Sequence, residues 1–312
     1  MNDKFLWVEK YAPQTIEDCV LPSKLKEEFS SMKTIPNMLF AGDAGVGKTT
    51  VARVLCETLN TDMMFINASL KNGIDEVRTQ IQNFASTTAL FGDYKVILLD
   101  EADNITPDAQ KALRALVEAH QNNCRFILTC NYPYNIIEPL RGRLQEFYFT
   151  YPKDGKTLRN TFIKRILEIL QQEKVSLSKE DVPALVSLVD LGYPNWRQCL
   201  HQLQRITKSG SVDHHLIDQI KDSHISTLIE IMKVKNFTKM RDWIAEAICK
   251  DISPQKMLLE LYNAIDAHMK PASRPGAVVT MAQYQSYAPH VSNHELNLVA
   301  CCVELMMGVE WQ

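Results

Sequence analysis

The sequence predicts an α/β protein in which a parallel, doubly wound sheet occupies the first half and helices alone fill the rest. Short apolar runs alternate with amphipathic helical patterns up to about residue 150, and strands separated by helices build parallel sheets. Beyond Tyr151-Pro152 the strand signals stop and helical periodicity takes over. A glycine-rich loop between the first apolar run and the first long helix places a ligand site on that sheet.

The apolar runs are Asn37-Met38-Leu39-Phe40, Met63-Met64-Phe65-Ile66-Asn67, Lys95-Val96-Ile97-Leu98-Leu99-Asp100 and Arg125-Phe126-Ile127-Leu128-Thr129. Between them Thr50 to Leu59, Ile74 to Ala85 and Pro107 to His120 read as amphipathic helices, with Pro107 at a first turn where its missing N–H is harmless. Lys156 to Gln172, Lys179 to Asp190 and Trp196 to Thr207 read as a small helical domain. From about Ser223 to Gln312 more helical segments follow, broken at Lys270-Pro271-Ala272-Ser273-Arg274-Pro275-Gly276, which reads as a loop. Single cores rarely grow past about 250 residues. The 312 residues accordingly divide into 1–150, 151–222 and 223–312 on this reading.

Composition is globular, 46% hydrophobic and 23% charged, with enough apolar side chain for substantial cores. A net charge of −3 argues against a protein that coats nucleic acid with its whole surface, so any such contact is expected on a concentrated basic face. The eight cysteines contain no C-x-x-C pair, which speaks against a zinc knuckle or redox motif and for buried thiols in a reducing compartment. No apolar stretch reaches about eighteen residues, and none follows Met1-Asn2-Asp3-Lys4. The expectation is a soluble cytoplasmic protein without a membrane partner.

Gly42-Asp43-Ala44-Gly45-Val46-Gly47-Lys48-Thr49 fits G-x-x-x-x-G-K-[ST] and lies after an apolar strand and before a helix, the context the pattern needs. Glycines serve here because successive backbone N–H groups must curl around phosphate oxygens, while the helix behind them adds partial positive charge. Gly45, Val46, Gly47, Lys48, Thr49 and Thr50 are candidate nucleotide contacts, with Lys48 on the β- and γ-phosphates and the Thr49 hydroxyl on Mg²⁺. At about 7% glycine, chance alone would place the four fixed positions in roughly one such chain in a hundred. The flanking strand and helix make that rarer still, so ATP and Mg²⁺ are the expected cofactors.

Val96-Ile97-Leu98-Leu99 ends in Asp100-Glu101-Ala102-Asp103, which sets carboxylates at the C-terminal edge of a buried strand, where open α/β sheets gather ligands. Asp100 can support the Mg²⁺ shell, and Glu101 can orient and polarise the water that attacks the γ-phosphate. The expected activity is ATP hydrolysis.

Together these motifs resemble the AAA+ sliding-clamp-loader ATPases, the replication factor C-like group, and within it the large, tetramer-forming subunit of T-even-type phage loaders. The likeness runs from Trp7 to about Leu203, and the C-terminal region is similar in length and helical character rather than in motifs. Asp62-Met63-Met64-Phe65 and Asn83-Phe84-Ala85-Ser86 are similar to segments of the phage branch. The resemblance implies an AAA+ P-loop sheet domain (1–150), a helical lid (151–222) and an all-helical oligomerisation collar (223–312). It also implies a homo-oligomer, a tetramer within a pentameric loader, with a companion small subunit, a sliding clamp and primer–template DNA as partners.

Site residues come from the same resemblance. Leu6-Trp7-Val8-Glu9-Lys10-Tyr11-Ala12-Pro13 is similar to the family's adenine-side segment, which makes Val8, Glu9, Lys10 and Tyr11 adenosine contacts and Val20 an apolar neighbour of the base. Ala12 stands where the family carries arginine, which leaves that polar contact open. Asn131, after the strand ending Thr129-Cys130, resembles the polar sensor of the γ-phosphate. In Glu138-Pro139-Leu140-Arg141-Gly142-Arg143-Leu144, Arg143 occupies the place of the arginine that reaches into a neighbour's ATP site, with Arg141 as the second candidate. A guanidinium supplied in trans neutralises charge on the transferred phosphoryl group. Arg197, opening a helix after Tyr193-Pro194-Asn195-Trp196, resembles the second sensor.

Lys71, Asn72 and Arg78 resemble the segment that faces the DNA backbone, where helix-start amides and basic side chains suit phosphate without base reading. Gln110 and Arg114 share one helix face and, by the resemblance, couple DNA or neighbour contact to the ATP site. Leu90 and Phe91 resemble the anchors that enter a clamp's apolar pocket. Two other readings stay open: an AAA+ helicase loader or remodelling ATPase, and an ATP-inert scaffold subunit, against which intact Lys48, Thr49, Asp100 and Glu101 count.

Overall fold

Three strand ends meet at one edge of the sheet because of the order in which the strands pair. The computed structural model describes residues 5–69, 74–89, 91–152, 154–222, 225–249 and 252–312. Among them five strands pair in parallel: β1 (Met38–Ala41), β2 (Asp62–Asn67), β3 (Lys95–Asp100), β4 (Cys124–Cys130) and β5 (Gln145–Tyr148), in the order β2-β3-β4-β1-β5. Ala41 pairs with Cys130 and Leu99 with Leu128, so β1, β4 and β3 end almost level. The loops that leave these three strands therefore converge on one spot.

The central strands β1, β3 and β4 are buried on both faces, as in parallel sheets covered by helices. Met38 and Phe40 of β1 and Val96 and Leu98 of β3 face one core, whereas Leu39, Ala41, Ile97 and Leu99 face the other. Helices α2 (Ser23–Ser30) and α3 (Lys48–Thr58) cover the first face through Leu25, Phe29, Val51 and Leu55. Helices α4 (Ile74–Ser86) and α5 (Pro107–Ala119) cover the second through Ile81, Ala85, Leu113 and Leu116. Each of the fully buried Val, Leu, Ile, Phe and Met side chains among these contributes about 1.5–3 kcal/mol. Short helix α1 (Trp7–Lys10) precedes them, and α6 (Glu138–Arg141) leads into β5.

The fifth strand has no counterpart among the expected ones. Only Phe147 of β5 is buried, between exposed Gln145 and Tyr148, so this short edge strand carries almost no apolar signal. Helix α3 starts at Lys48, ahead of the expected Thr50, because the loop turns straight into a helix at Gly47.

The chain divides into two compact units, Met1–Val212 and Asp213–Gln312. The first holds the sheet together with α7 (Lys156–Gln172), α8 (Asp181–Gly192) and α9 (Trp196–Ile206). The second holds α10 (His214–Asp222), α11 (Ile225–Lys233), α12 (Phe237–Cys249), α13 (Pro254–His268), α14 (Arg274–Tyr287) and α15 (His294–Gly308). Helix α10, expected with the helices before it, groups with those after it. The core of this second unit gathers Leu228, Met232, Ile244, Leu261, Cys302 and Leu305. The expected loop at 270–276 is shorter, since Pro275 and Gly276 lie in the first turn of α14, where a proline removes no helical hydrogen bond. No helix among the described residues is long and apolar enough to cross a membrane.

Candidate nucleotide-binding site

The phosphate loop leaves β1 and turns into α3 through backbone conformations that side chains resist. Gly47 has φ +99 and is the residue from which α3 departs. Gly45 has φ +78, and a Cβ there would overlap the Asn195 side-chain oxygen. Asn195 caps α9, its side chain accepting from the Gln198 N–H at 2.9 Å, and the Arg197 N–H donates to Gly45 O at 3.4 Å. The start of α9 thus rests directly on the loop, and glycine is what allows the approach.

Lys48, on the first turn of α3, is 8% exposed, and its ammonium spends all three hydrogens on oxygen: Gly42 O and Asp43 O at 2.8 Å each, and Asn131 Oδ1 at 2.9 Å. Burial lowers its pKa below the ordinary lysine value, with Asp100 and Asp103 among the groups pulling the other way. Three oxygens around one buried cation form the kind of arrangement that phosphate oxygens can replace.

Asp100 ends β3, and its Oδ1 accepts from Thr49 Oγ1 and Thr129 Oγ1, each at 2.5 Å. Glu101 has φ 57 and ψ 44, a left-handed conformation that a non-glycine residue holds only when its surroundings fix it. Its N–H donates to Thr129 Oγ1 at 3.1 Å. Asp103 accepts the N–H groups of Asn131 and Tyr132 at 3.0 Å each, which ties the residues after β4 to the residues after β3. Cys130, beside this site, has its thiol pushed up to about 12 by burial.

Two adjoining cavities result. One of about 60 Å³ is lined by Gly45, Lys48, Thr49, Asp100, Glu101 and Asn131, with Arg197 at its side. The other, of about 120 Å³, is lined by Val8, Tyr11, Val20, Val46 and Thr50, and shares Gly45, Gly47 and Arg197 with the first. The first is polar and sized for phosphate groups, the second walled by apolar and aromatic residues. Tyr151 ties two of those walls together, its hydroxyl reaching Val20 O at 3.1 Å and Val46 O at 3.0 Å while its ring lies 5.8 Å from that of Trp196.

Several expected residues lie elsewhere. Glu9 is exposed and does not line the second cavity, and neither does Lys10, which pairs with Glu173 at 2.8 Å while Tyr11 OH donates to the same carboxylate at 2.6 Å. Ala12, in place of an arginine, lines the cavity with a methyl group only. Arg143 lies ahead of β5, whose first residue pairs with Met38 at the start of β1, so it stands at the opposite edge of the sheet from Lys48. There it meets Glu118 of α5 and the Pro139 carbonyl. Arg141 is held by Glu146 in a two-pronged pair at 2.8 and 2.9 Å. Arg78 and Phe91 are exposed, while Lys71, Asn72 and Leu90 lie outside the described residues. Gln110 is 1% exposed and stitches α5 to the chain beyond β4, donating to Ile105 O and Asn135 O at 2.9 Å and accepting from the Ile137 N–H at 2.7 Å. Direct contact with a partner is closed to it, although its position between elements suits coupling.

The profile of the ATPase family associated with various cellular activities (AAA) matches residues 38–151, from β1 to Tyr151. Across 97% of its length the chain is 31% identical to the sliding-clamp-loader large subunit of Enterobacteria phage T4, covering 96% of that protein. The chain belongs to the sliding-clamp-loader ATPases. It is also 36% identical to the replication factor C small subunit of Saccharolobus solfataricus, over 77% of this chain and 74% of that one. A mutant RuvB of Thermotoga maritima superposes with a TM-score of 0.53 at 15% identity, over 67% of this chain and 71% of that one, which shows the shared fold alone. As a clamp-loader ATPase the chain binds and hydrolyses ATP, and the cavity around Lys48 is where such chemistry has its donors and carboxylates together. Sequence reasoning gave no role to Thr129, Tyr151 or Asn195 of this candidate site, and placed Asp103 at the strand edge without the bonds it makes. Their only local signal is position next to a motif, since each acts through a contact distant in sequence.

Proposed function

We propose that this chain is the repeated motor subunit of a sliding-clamp loader, acting on primer–template DNA in replication and hydrolysing ATP at sites shared between neighbouring copies. The observation that carries the reading is the position of Arg143: it stands at the sheet edge opposite Lys48, too far along the strands to serve its own chain's phosphate site. A guanidinium so placed serves a neighbour. Homo-oligomers, a tetramer completed by one small companion subunit, follow as the working assembly.

In each site Lys48 holds the β- and γ-phosphates, Glu101 orients the attacking water, Asn131 and Arg197 sense the γ-phosphate, and the neighbour's Arg143 neutralises developing charge. The donor set fits Mg²⁺: Thr49 and Asp100 present two oxygens, and among the described residues no group of three His, Cys, Asp or Glu side chains forms a protein cage. An ion that keeps several waters and shares phosphate oxygens needs no more. Bound there, held by Thr49 and Asp100, Mg²⁺ would supply neutralisation of phosphate charge. Residues 1–150 and the helices that follow up to Val212 work as sheet domain and lid, and the unit from Asp213 to Gln312 as the oligomerising collar. Arg78 with Lys71 and Asn72 faces DNA phosphates, and Phe91 with Leu90 enters the clamp's apolar pocket. ATP binding closes the assembly on an opened clamp and DNA, and hydrolysis releases both.

The test is steady-state ATP hydrolysis by the assembly with clamp, primed DNA, both or neither. Turnover should be slow for the lone chain and highest with both ligands. Rapid hydrolysis by isolated monomer would refute the shared site. Turnover indifferent to clamp would favour a helicase loader or remodelling ATPase, and no turnover under any condition would favour an inert scaffold.

A further inference from the structure

We propose that Thr129 is a positioning residue for ATP hydrolysis, holding Asp100 and Glu101 in their working relation through a single buried hydroxyl. The inference rests on the roles given above to those two carboxylates. Leu128 pairs with Leu99, which puts Thr129 beside Asp100 at the point where the chain leaves β3. Its side chain is 1% exposed, and the hydroxyl is used twice, donating to Asp100 Oδ1 at 2.5 Å and accepting from the Glu101 N–H at 3.1 Å. One hydrogen and two lone pairs suffice for both bonds.

The need for such a group comes from strand geometry. Successive residues of a strand point to opposite faces, so adjacent carboxylates cannot line one cavity unless the chain departs from strand geometry between them. Asp100 and Glu101 do line one cavity, and the departure is the left-handed backbone of Glu101. The Thr129 hydroxyl takes the N–H of that very residue, away from the sheet ladder. It also gives Asp100 a second donor beside Thr49, the residue assigned to Mg²⁺ above. Valine would keep the β-branched shape and remove both bonds.

The experiment compares Thr129→Val, Thr129→Ser and Glu101→Gln in the full assembly with clamp and primed DNA. Thr129→Val should lower kcat roughly 10- to 100-fold, the range for losing an outer-shell partner. Its Kd for ATP titrated without Mg²⁺ should move by no more than about twofold, because the loop and Lys48 that meet the phosphates keep their places. Thr129→Ser should return turnover to within about threefold of the parent. A role in strand packing alone would move Kd and thermal stability together, and serine would not rescue it. If Thr129→Val does not fold, Thr129→Ala is set against Thr129→Ser, which differ only in the hydroxyl; equal turnover by those two would overturn the proposal. So would parent-level turnover by Thr129→Val while Glu101→Gln is inactive, and in that case the assignment of Glu101 would survive. Normal turnover by Glu101→Gln would remove that assignment and the proposal with it.

Discussion

At one edge of the sheet Lys48 is 8% exposed and engages three oxygens, whereas at the other Arg143 is exposed and meets one carboxylate, Glu118, and one carbonyl. The first arrangement is built by a single chain: the loop brings two carbonyl oxygens and the segment after β4 brings Asn131, while Thr129 holds Asp100 and Asp103 holds the Asn131 N–H behind it. The second is an arginine on the surface with an exchangeable companion. A group that acts on its own chain's ligand can be organised in advance by that chain. One that acts on a neighbour's ligand must remain at the surface, where an ion pair between exposed side chains contributes about 1 kcal/mol or less and is readily given up.

The sharpest way to break this contrast is Arg143→Ala. Turnover of the assembly should fall by roughly 10³ or more, as for fingers supplied in trans, while ATP affinity of the lone chain stays at the parent value. Arg141→Ala should instead act on local structure, since its guanidinium is already committed to Glu146. The reverse ranking of the two variants in a hydrolysis assay would exchange their roles.

A smaller effect is expected at the buried edge from Gly45→Ala. The methyl group meets Asn195 and the backbone is left-handed there, so α9 must lift away from the loop. The strain of about 1–3 kcal/mol should raise the ATP Kd about tenfold in equilibrium titration. An unchanged Kd would show that the contact of α9 with the loop does not matter to the bound state.

Smallest of all should be Glu118→Gln. Neutralising the companion of Arg143 removes an exposed pair, with Arg114 Nε also 3.9 Å from the same carboxylate, so turnover should change only a few-fold. A loss as large as that of Arg143→Ala would mean that Glu118 aims the finger, and the exposed edge would then be as organised as the buried one.

The sheet and the grouping of loop, carboxylates and Asn131 at its C-terminal edge were largely legible in the residues. Runs such as Val96 to Leu99 announce buried strands through continuous apolar character, and Gly42 to Thr49 announces a phosphate loop because backbone curvature there demands glycine. These signals are local, so they survive without a structure. Strand β5 was not legible, since Phe147 alone is buried and its partner β1 lies far back in the chain. Nor was the burial of Gln110, whose three bonds run to Ile105, Asn135 and Ile137.

By itself, then, the sequence determined four of the five strands, most of the helices, the glycine-rich loop and the carboxylates that stand near it, because hydrophobic period and turn chemistry act over a few residues. Only the tertiary structure decided that Asn131 meets Lys48, that Thr129 joins Asp100 to Glu101 and that Arg143 faces away from its own chain's site. The reason is the strand order: inserting β4 between β1 and β3 brings distant residues into hydrogen-bonding range, and no local pattern encodes which strand will lie beside which.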